Sequence, residues 1–460
     1  TNRGCPYKCS FCDWGGTNSK VKRYNRDIIE EEIEVICRDL KPNMIFNVDA
    51  NFGILPEDIE YAESVGKARM KYGYPKFGLY FSSAKNHKKQ VNQILKILYD
   101  YELLSFAQIS FQHTDIEVLK SIDRDNIKVE NLADTMGESF RLGLPVTANM
   151  ILGNPGDTPA KWRKALGDML ETRFHDMRIH DFMMLPNAPA ANPDYIEKYK
   201  IKTMERKHLG DEFGLLNLKN GSFNAHYILE TSTFDKNDYV DMQIDGAMVI
   251  GYHILNLTKF ICLYLKYYND IPYMDFYDVL KETNTIKGHI KDLRSEIEKW
   301  VNGINLYKFA EFNSENFSYD VYLKVRGVLD LNNVMDDMFK LLVEKYNVPV
   351  DLAENLIKFQ KRSIVGYWKQ EDVEIDYNLT EIMKAIMAMH PSDKFIDIEL
   401  KKEKTMIRSN QTHVGAFNKL LRKVDVSNIK DYDTWIRSKI HEGRSLRTTV
   451  NYYNEILENK

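Results

Sequence analysis

The feature that most constrains the fold of this 460-residue sequence is a rhythm that runs to about residue 200. Short apolar runs occur at Met44–Val48, Phe77–Phe81, Phe106–Phe111, Val146–Leu152 and Ile179–Leu185. Each suits a strand buried on both faces. Helical spacing fills the gaps: Ile29, Ile33, Ile36 and Leu40 share one face, as do Val91, Ile94, Leu95 and Leu98. Glu30, Glu31 and Glu32 are expected near the start of the first helix, where the helix dipole favours negative charge. Strand starts recur every roughly 30–40 residues, the length of a strand, a helix and two loops. Five such strands, plus one expected to end at or before Thr1, make an α/β fold with a parallel sheet. Periodicity does not separate a partial barrel from a doubly wound open sheet.

In either architecture, loops leaving the carboxyl ends of the strands build the site. Polar residues recur there: Asp49 and Asn51, Ser82 and Ser83, Gln112 and His113, Asn154 to Gly156, then Pro186 and Asn187. Turn chemistry explains each one alone. Recurrence at the same end of successive strands favours a ligand site.

Residues 1–200 are thus expected to form one domain and 201–460 a mostly helical second one. The second half offers a strand at Ala225–Phe234 and one or two helices over Asp235–Tyr268. A helical stripe follows at Ile290, Leu293, Ile297, Trp300, Val301 and Ile304. Val334–Tyr346 and Val350–Ile364 read as helices broken by Asn347-Val348-Pro349. Phe395–Leu400 and Glu403–Ile407 suggest a hairpin turning at Lys401 and Lys402, and a last helix is expected near Tyr432–Leu457. No internal repeat or low-complexity linker is visible.

Lysines and arginines number 63 against 67 acids, for a formal charge of −4. That balance supplies no basic field, so no nucleic-acid partner is expected. The most apolar stretch, Ala247–Tyr268, is interrupted by His253, Asn256 and Lys259 and reads as a core helix, not a membrane span. With no visible signal peptide, a cytoplasmic location is expected. The basic run Lys20, Lys22, Arg23 and Arg26 is either a solvated face or a contact for an anionic group.

Five cysteines occur, Cys5, Cys9, Cys12, Cys37 and Cys262, with three inside eight residues. An odd, clustered set is no disulfide framework; it reads as thiolate chemistry in a reducing compartment. Three soft thiolates in one loop can wrap a metal centre. A zinc site wants a fourth ligand, which His87 or His113 could supply, since Cys37 falls in the next helix. A four-iron, four-sulfur ([4Fe-4S]) cluster on three cysteines leaves one iron open to another molecule. With no other cysteine pair nearby, the open-iron reading fits better.

Cys5-x-x-x-Cys9-x-x-Cys12, with Phe11 before the last cysteine, resembles the signature of the radical S-adenosylmethionine (SAM) superfamily. The longer run Thr1–Gly15 is similar to the subgroup associated with cobalamin-binding domains. Supporting segments are Ser110–Leu119 with Ile122-Asp123-Arg124, Ile151–Thr158 and Leu185–Ala190. The resemblance covers residues 1–200 and implies a partial (β/α)6 TIM-like barrel. It implies that Cys5, Cys9 and Cys12 hold the cluster and that its open iron binds SAM, whose reductive cleavage yields a 5′-deoxyadenosyl radical. By the same carry-over, Phe11 packs beside the adenine and Asp49-Ala50-Asn51 replaces the Gly-Gly-Glu segment that takes the methionyl amine. Ser110 and Gln112 would face the ribose and methionyl side. Asn149, Ile151 and Gly153 would border the adenine, and Leu185 and Asn187 would offer it backbone groups.

Ile151 and Leu185 serve equally well as barrel core. His113, His180 and Asp181 read as satisfied polar residues rather than catalytic ones. The implied partners are a small-molecule substrate and a reductant such as flavodoxin or ferredoxin. Cobalamin-dependent methyl transfer is the form of the chemistry that the subgroup suggests. The sequence holds no Asp-x-His-x-x-Gly loop, so any cobalamin module is expected outside it. The rival reading is a non-catalytic iron–sulfur protein for electron transfer or redox sensing, although a carrier normally closes its cluster with four protein ligands.

Overall fold

The computed structural model describes residues 1–15, 20–76, 78–84, 88–103, 107–124, 146–174, 176–209, 222–304, 319–364, 372–389, 393–395 and 398–407. His87 and the helix expected at 432–457 lie outside these residues, as do Phe77 and Phe106 at the starts of two expected strands. The chain is α/β and divides into two compact units. The first comprises Thr1–Lys161, Phe174–Glu205 and Ala225–Asp235; the second comprises Trp162–Arg173, Arg206–Asn224 and Lys236–Lys460.

In the first unit, β1 (Asn2–Arg3) pairs antiparallel with β2 (Lys22–Arg23) and closes the base of the cysteine loop. Helix α1 (Arg26–Val35) starts at Asn25, whose side chain accepts from Asp27 N, and it continues as a π-turn through Leu40. Asp27, not Glu30–Glu32, therefore sits in the first turn, because the cap comes earlier than the acids suggested. Ile29, Ile33 and Ile36 are half-buried and Leu40 is exposed.

Strand β3 (Met44–Phe46), helix α2 (Glu57–Tyr72) and strand β4 (Gly78–Tyr80) follow. The two strands pair in parallel, and a bridge from Phe52 to Ser83 prolongs the pairing beyond them. Two-sided burial is not realised at β3, where Met44 is 52% and Phe46 45% exposed. Among the described residues β3 has a strand neighbour on one side only. Helix α3 (Lys88–Asp100) buries Val91, Ile94, Leu95 and Leu98, as their spacing predicts.

The second sheet has the order β5 (Ala107–Gln112), β6 (Val146–Leu152), β7 (Asp176–Asp181), all parallel. Every residue of β6 is buried, which is why this central strand reads as a largely apolar run, interrupted only by Thr147 and Asn149. Helix α4 (Ile116–Ser121) follows β5, and α5 (Pro159–Glu171) links β6 to β7. The expected strand at Ile179–Leu185 instead starts at Asp176 and breaks at Phe182. Phe182 N donates to Leu152 O (2.8 Å) while its carbonyl accepts from Ile228 N (3.0 Å). The chain thus leaves β6 and pairs, as β8 (Met183–Met184), with β10 (Ser222–Glu230), which also pairs with β9 (Lys202–Leu209). A short helix, α6 (Pro193–Tyr199), precedes β9.

The second unit is helix-rich: α7 (Lys236–Met248, prolonged by a π-turn to Ile254), α8 (Lys259–Tyr268), α9 (Tyr273–Lys281), α10 (Asn284–Val301), α11 (Tyr319–Leu329), α12 (Leu331–Lys340) and α13 (Val350–Ser363). Its core holds Tyr239, Tyr252, Phe260, Phe276 and Tyr277, and Trp162 donates from Nε1 to Met242 O (2.9 Å). No single helix among the described residues is long and apolar enough to cross a membrane. The apolar pair Lys236–Ile254 and Lys259–Tyr268 bends by 91° at its break.

Among the described residues, the hairpin expected between 395–400 and 403–407 does not form. Strand β12 (Lys402–Ile407) pairs antiparallel with β11 (Val373–Tyr377), which precedes α14 (Leu379–Ala388). Asn378 sets this pairing: its Oδ1 accepts from Lys401 N (3.0 Å) and its Nδ2 donates to Glu399 O (3.1 Å).

Candidate cofactor site at the strand ends

The three clustered cysteines lie on a loop tied down on both sides of Ser10. Ser10 N donates to Ile122 O (2.9 Å), and Ala190 N donates to Ser10 O (2.9 Å). The Ser10 hydroxyl pairs with Tyr195 OH (3.0 Å), which itself donates to Ser121 O (2.8 Å). The loop is therefore fixed to the segment after β5 and to the segment after β8. Cys12 N donates to Cys9 O (3.1 Å) and tightens the turn. Gly15 ends it because a Cβ there would lie 1.9 Å from Tyr7 O. Cys5 and Cys9 are buried and Cys12 is half-buried.

The other cysteines differ. Cys37 lies in the π-turn after α1 and Cys262 in α8, both fully enclosed, and burial pushes both thiols up. His113 is also enclosed, with Nε2 at 3.3 Å from Asp157 Oδ2 and Nδ1 accepting from Asp115 N (3.0 Å). It is held within its own loop, beside Asp157, instead of joining the thiolates. Among the described residues no three His, Cys, Asp or Glu side chains are placed to share one metal ion.

Asp49, after β3, is saturated by the chain that enters the cysteine loop. It accepts from the Thr1 nitrogen (2.9 Å), Asn2 N (3.0 Å) and Asn2 Nδ2 (3.1 Å). Nearby Asp58 accepts from Gly53 N (2.8 Å), Leu55 N (3.1 Å) and the Thr1 hydroxyl (3.1 Å), and burial pushes its carboxyl up. Asp49 is thus a fastener of the loop entry. Ala50 is half-buried between them. Asn51 donates from Nδ2 to Cys5 Sγ (3.1 Å), a contact that its position in the sequence does not announce.

Phe11 packs edge-on to Phe182 (centroids 6.3 Å apart) and lies 5.9 Å from the guanidinium of Arg124. Arg124 also reaches Cys9 Sγ through Nη1 (3.8 Å) and donates through Nη2 to Ser110 O. Burial pulls its pKa down from the usual arginine value, and the Cys9 and Cys12 thiolates oppose that shift. Ser110 Oγ in turn accepts from Asn149 Nδ2 (3.4 Å). Cys9, Phe11, Arg124, Ser110 and Asn149 therefore form one connected group.

At the same strand ends, Gln112 adopts a left-handed backbone (φ 71°) beside a register shift. Gln112 and Asn149 are 8% and 6% exposed, and among the described residues Gln112 Oε1 and Asn149 Oδ1 have no hydrogen-bond partner. A buried acceptor without a donor costs about 1–3 kcal/mol. A ligand carrying ammonium, hydroxyl or amino donors would remove that cost. Ile151 is enclosed within β6, and Gly153 follows with φ 94°, a left-handed turn that glycine adopts readily. Leu185 is half-buried with its carbonyl taken by Ala188 N (3.1 Å), and Asn187 is exposed.

Sequence reasoning did not give Arg124, Asp58 or Tyr195 a site role. Arg124 lay within a quoted segment, but a lone arginine reads as surface until packing buries it. Arg23 and Arg26 of the basic run pair with Glu57 (2.8 Å) and Glu30 (3.0 Å) on the surface, as a solvated face does.

Residues 1–169 match the family model described as the radical SAM superfamily. This segment is a radical SAM domain. The chain is 34% identical over 285 residues to 2-(S-pantetheinyl)-carbapenam-3-carboxylate methyltransferase of Streptantibioticus cattleyicolor, covering 61% of this chain and 41% of that protein. It is 33% identical over the same length to the cobalamin-dependent radical SAM methyltransferase TokK of Streptomyces tokunonensis, with the same coverages. The chain thus spans less than half the length of these curated relatives. A solved radical SAM methyltransferase, TsrM of Kitasatospora setae, aligns at 12% identity with a TM-score of 0.40, over 53% of this chain and 49% of that one. The donor set of the radical SAM domain fits the cofactors of its family. Three thiolates share one pinned loop, and orphaned acceptors lie at the neighbouring strand ends.

Proposed function

We propose that this chain is the cluster- and SAM-binding part of a cobalamin-dependent radical SAM methyltransferase acting on a small molecule. The observation that carries the reading is the pinned cysteine loop together with the orphaned buried acceptors Gln112 Oε1 at the end of β5 and Asn149 Oδ1 on β6. The similarity to two curated methyltransferases, one named as cobalamin-dependent, points to methyl transfer. The parallel pieces β3–β4 and β5–β6–β7 support a partial (β/α)6 barrel. A module outside this chain would carry the cobalamin, and a flavodoxin or ferredoxin would deliver the electron. The reduced cysteines suit the cytoplasm.

When bound, the cluster and SAM supply one-electron cleavage of the sulfonium to a 5′-deoxyadenosyl radical. The residues of this chain hold and orient. Cys5, Cys9 and Cys12 ligate the cluster through a loop whose entry Asp49 fastens. Asn51 Oδ1 accepts from the methionyl ammonium. Gln112 Oε1 and Asn149 Oδ1 accept from the ribose and adenine side, and Ser110 steadies Asn149 (3.4 Å). Phe11, packed on Phe182, walls the adenine from water, and Ile151 with Gly153 lines its edge. Leu185 and Asn187 border the base with backbone groups.

The test is anaerobic cluster reconstitution of the chain, followed by dithionite and SAM. Formation of 5′-deoxyadenosine is expected. An intact cluster that reduces but leaves SAM whole would favour an electron carrier.

A further inference from the structure

Two of the three loop sulfurs each meet a side-chain N–H donor from a separate segment, Asn51 on the loop after β3 and Arg124 just beyond the end of α4. Asn51 Nδ2 lies 3.1 Å from Cys5 Sγ, and Arg124 Nη1 lies 3.8 Å from Cys9 Sγ. Neither contact is a chance surface approach, since Asn51 is 2% and Arg124 4% exposed. Arg124 is held independently of the sulfur: its backbone N donates to Leu119 O (3.0 Å) and its Nη2 to Ser110 O. Asn51 is held by its neighbour, where Phe52 N donates to Ser82 O (2.8 Å) and Ala84 N to Phe52 O (2.9 Å).

We propose that Asn51 and Arg124 are positioning residues that raise the reduction potential of the cluster on Cys5, Cys9 and Cys12. The proposal rests on the cluster assignment above. A donor or a positive charge beside a thiolate stabilises the more negative, reduced state over the oxidised one. Arg124 acts more strongly because it carries a full charge in a buried, weakly screened place. Asn51 also accounts for the departure from the Gly-Gly-Glu pattern. A carboxylate has no proton to donate to Cys5, whereas an amide donates from Nδ2 and keeps Oδ1 as an acceptor. The thiolate therefore fixes which way the amide points.

The experiment is an EPR-monitored redox titration of the reconstituted chain, with iron content and visible absorbance measured on each variant. At a fixed poise, Arg124→Met is expected to lower the reduced-to-oxidised ratio about tenfold, a 59 mV shift for one electron. Asn51→Asp, which replaces a donor with a like charge, is expected to lower it by a similar factor. Arg124→Lys keeps the charge and is expected to stay within about threefold of the parent. Variants that hold a full cluster yet titrate with the parent overturn the proposal. Should Arg124→Met fail to assemble, Asn51→Asp decides: a lowered ratio supports the proposal, and an unchanged one overturns it. A cluster that survives in Cys9→Ala would instead sink the underlying ligand assignment, a failure visible in iron content before any titration.

Discussion

Gln112 and Asn149 in the first unit and Gln360 and Asn256 in the second are the same residue types with opposite fates. In the second unit, Gln360 Oε1 accepts from Phe260 N (2.8 Å) and its Nε2 donates to Asn256 O (3.1 Å), while Asn256 Nδ2 donates to Ser363 O (2.6 Å). These amides close the break between the π-turn and α8, and their polar capacity is spent on the fold. In the first unit Gln112 Oε1 and Asn149 Oδ1 are enclosed with that capacity left over. The cysteines divide the same way. Cys5 and Cys9 meet N–H donors, whereas Cys262 is a thiol pushed up by burial. For these four amides, the polarity that the fold satisfies serves architecture, and the polarity left open beside the cysteine loop suits a ligand.

The sharpest break of that contrast is at the cysteines. Cys9→Ala is expected to abolish the visible charge-transfer absorbance of the reconstituted cluster, and Cys262→Ala to leave it intact. Equal loss in both would erase the distinction. Next in size is Trp162→Ala in the second unit, which removes a fully enclosed indole and its bond to Met242 O. It is expected to cost about 3–5 kcal/mol in denaturant unfolding.

The amides themselves make a paired test. Gln360→Ala strands the Phe260 N–H and is expected to cost about 1–3 kcal/mol. Gln112→Ala is expected to leave stability near that of the parent, since no bond to Oε1 is lost, but to weaken SAM binding measured by calorimetry. Matching stability losses would show that Gln112 is structural after all.

The smallest effect is a pH dependence. His253 is enclosed, with Nδ1 at 2.9 Å from Tyr277 OH and the Tyr273 ring edge-on. Burial, then the charge of Lys259, holds its pKa well below 6.5. Above pH 6.5 the imidazole is neutral in both folded and unfolded states and imposes no penalty. As pH falls below 6.5 the unfolded chain binds the proton first, so stability drops by up to about 1.4 kcal/mol per pH unit. His253→Gln should flatten that slope in denaturation series at pH 7 and 5.5.

Much of the first unit was legible because its signals are local. β6 is buried on both faces and is apolar but for Thr147 and Asn149, and α3 shows its buried stripe at helical spacing. The strand at 179–185 was misplaced because Phe182 serves two sheets, which no run of hydrophobicity records. The hairpin near 400 failed for a related reason. Asn378 recruits the Glu399–Lys401 segment from 21 to 23 residues away, and β12 then lies along β11. In the site, Asp49 and Asn51 stand where the strand ends put them. Their partners, the loop entry for one and a thiolate for the other, depend on how the loops fold back.

By itself the sequence determined that Cys5, Cys9 and Cys12 occupy one loop, because eight consecutive residues cannot stray far from each other. It also determined the alternation of strands and helices in the first unit, which follows from which faces need burial. Only the tertiary structure decided which donor meets which sulfur. Asn51 is 46 residues from Cys5 and Arg124 is 115 from Cys9. Those pairs meet because the loop after β3 and the segment closing α4 fold back onto the cysteine loop, where burial holds an amide and a guanidinium against the thiolates.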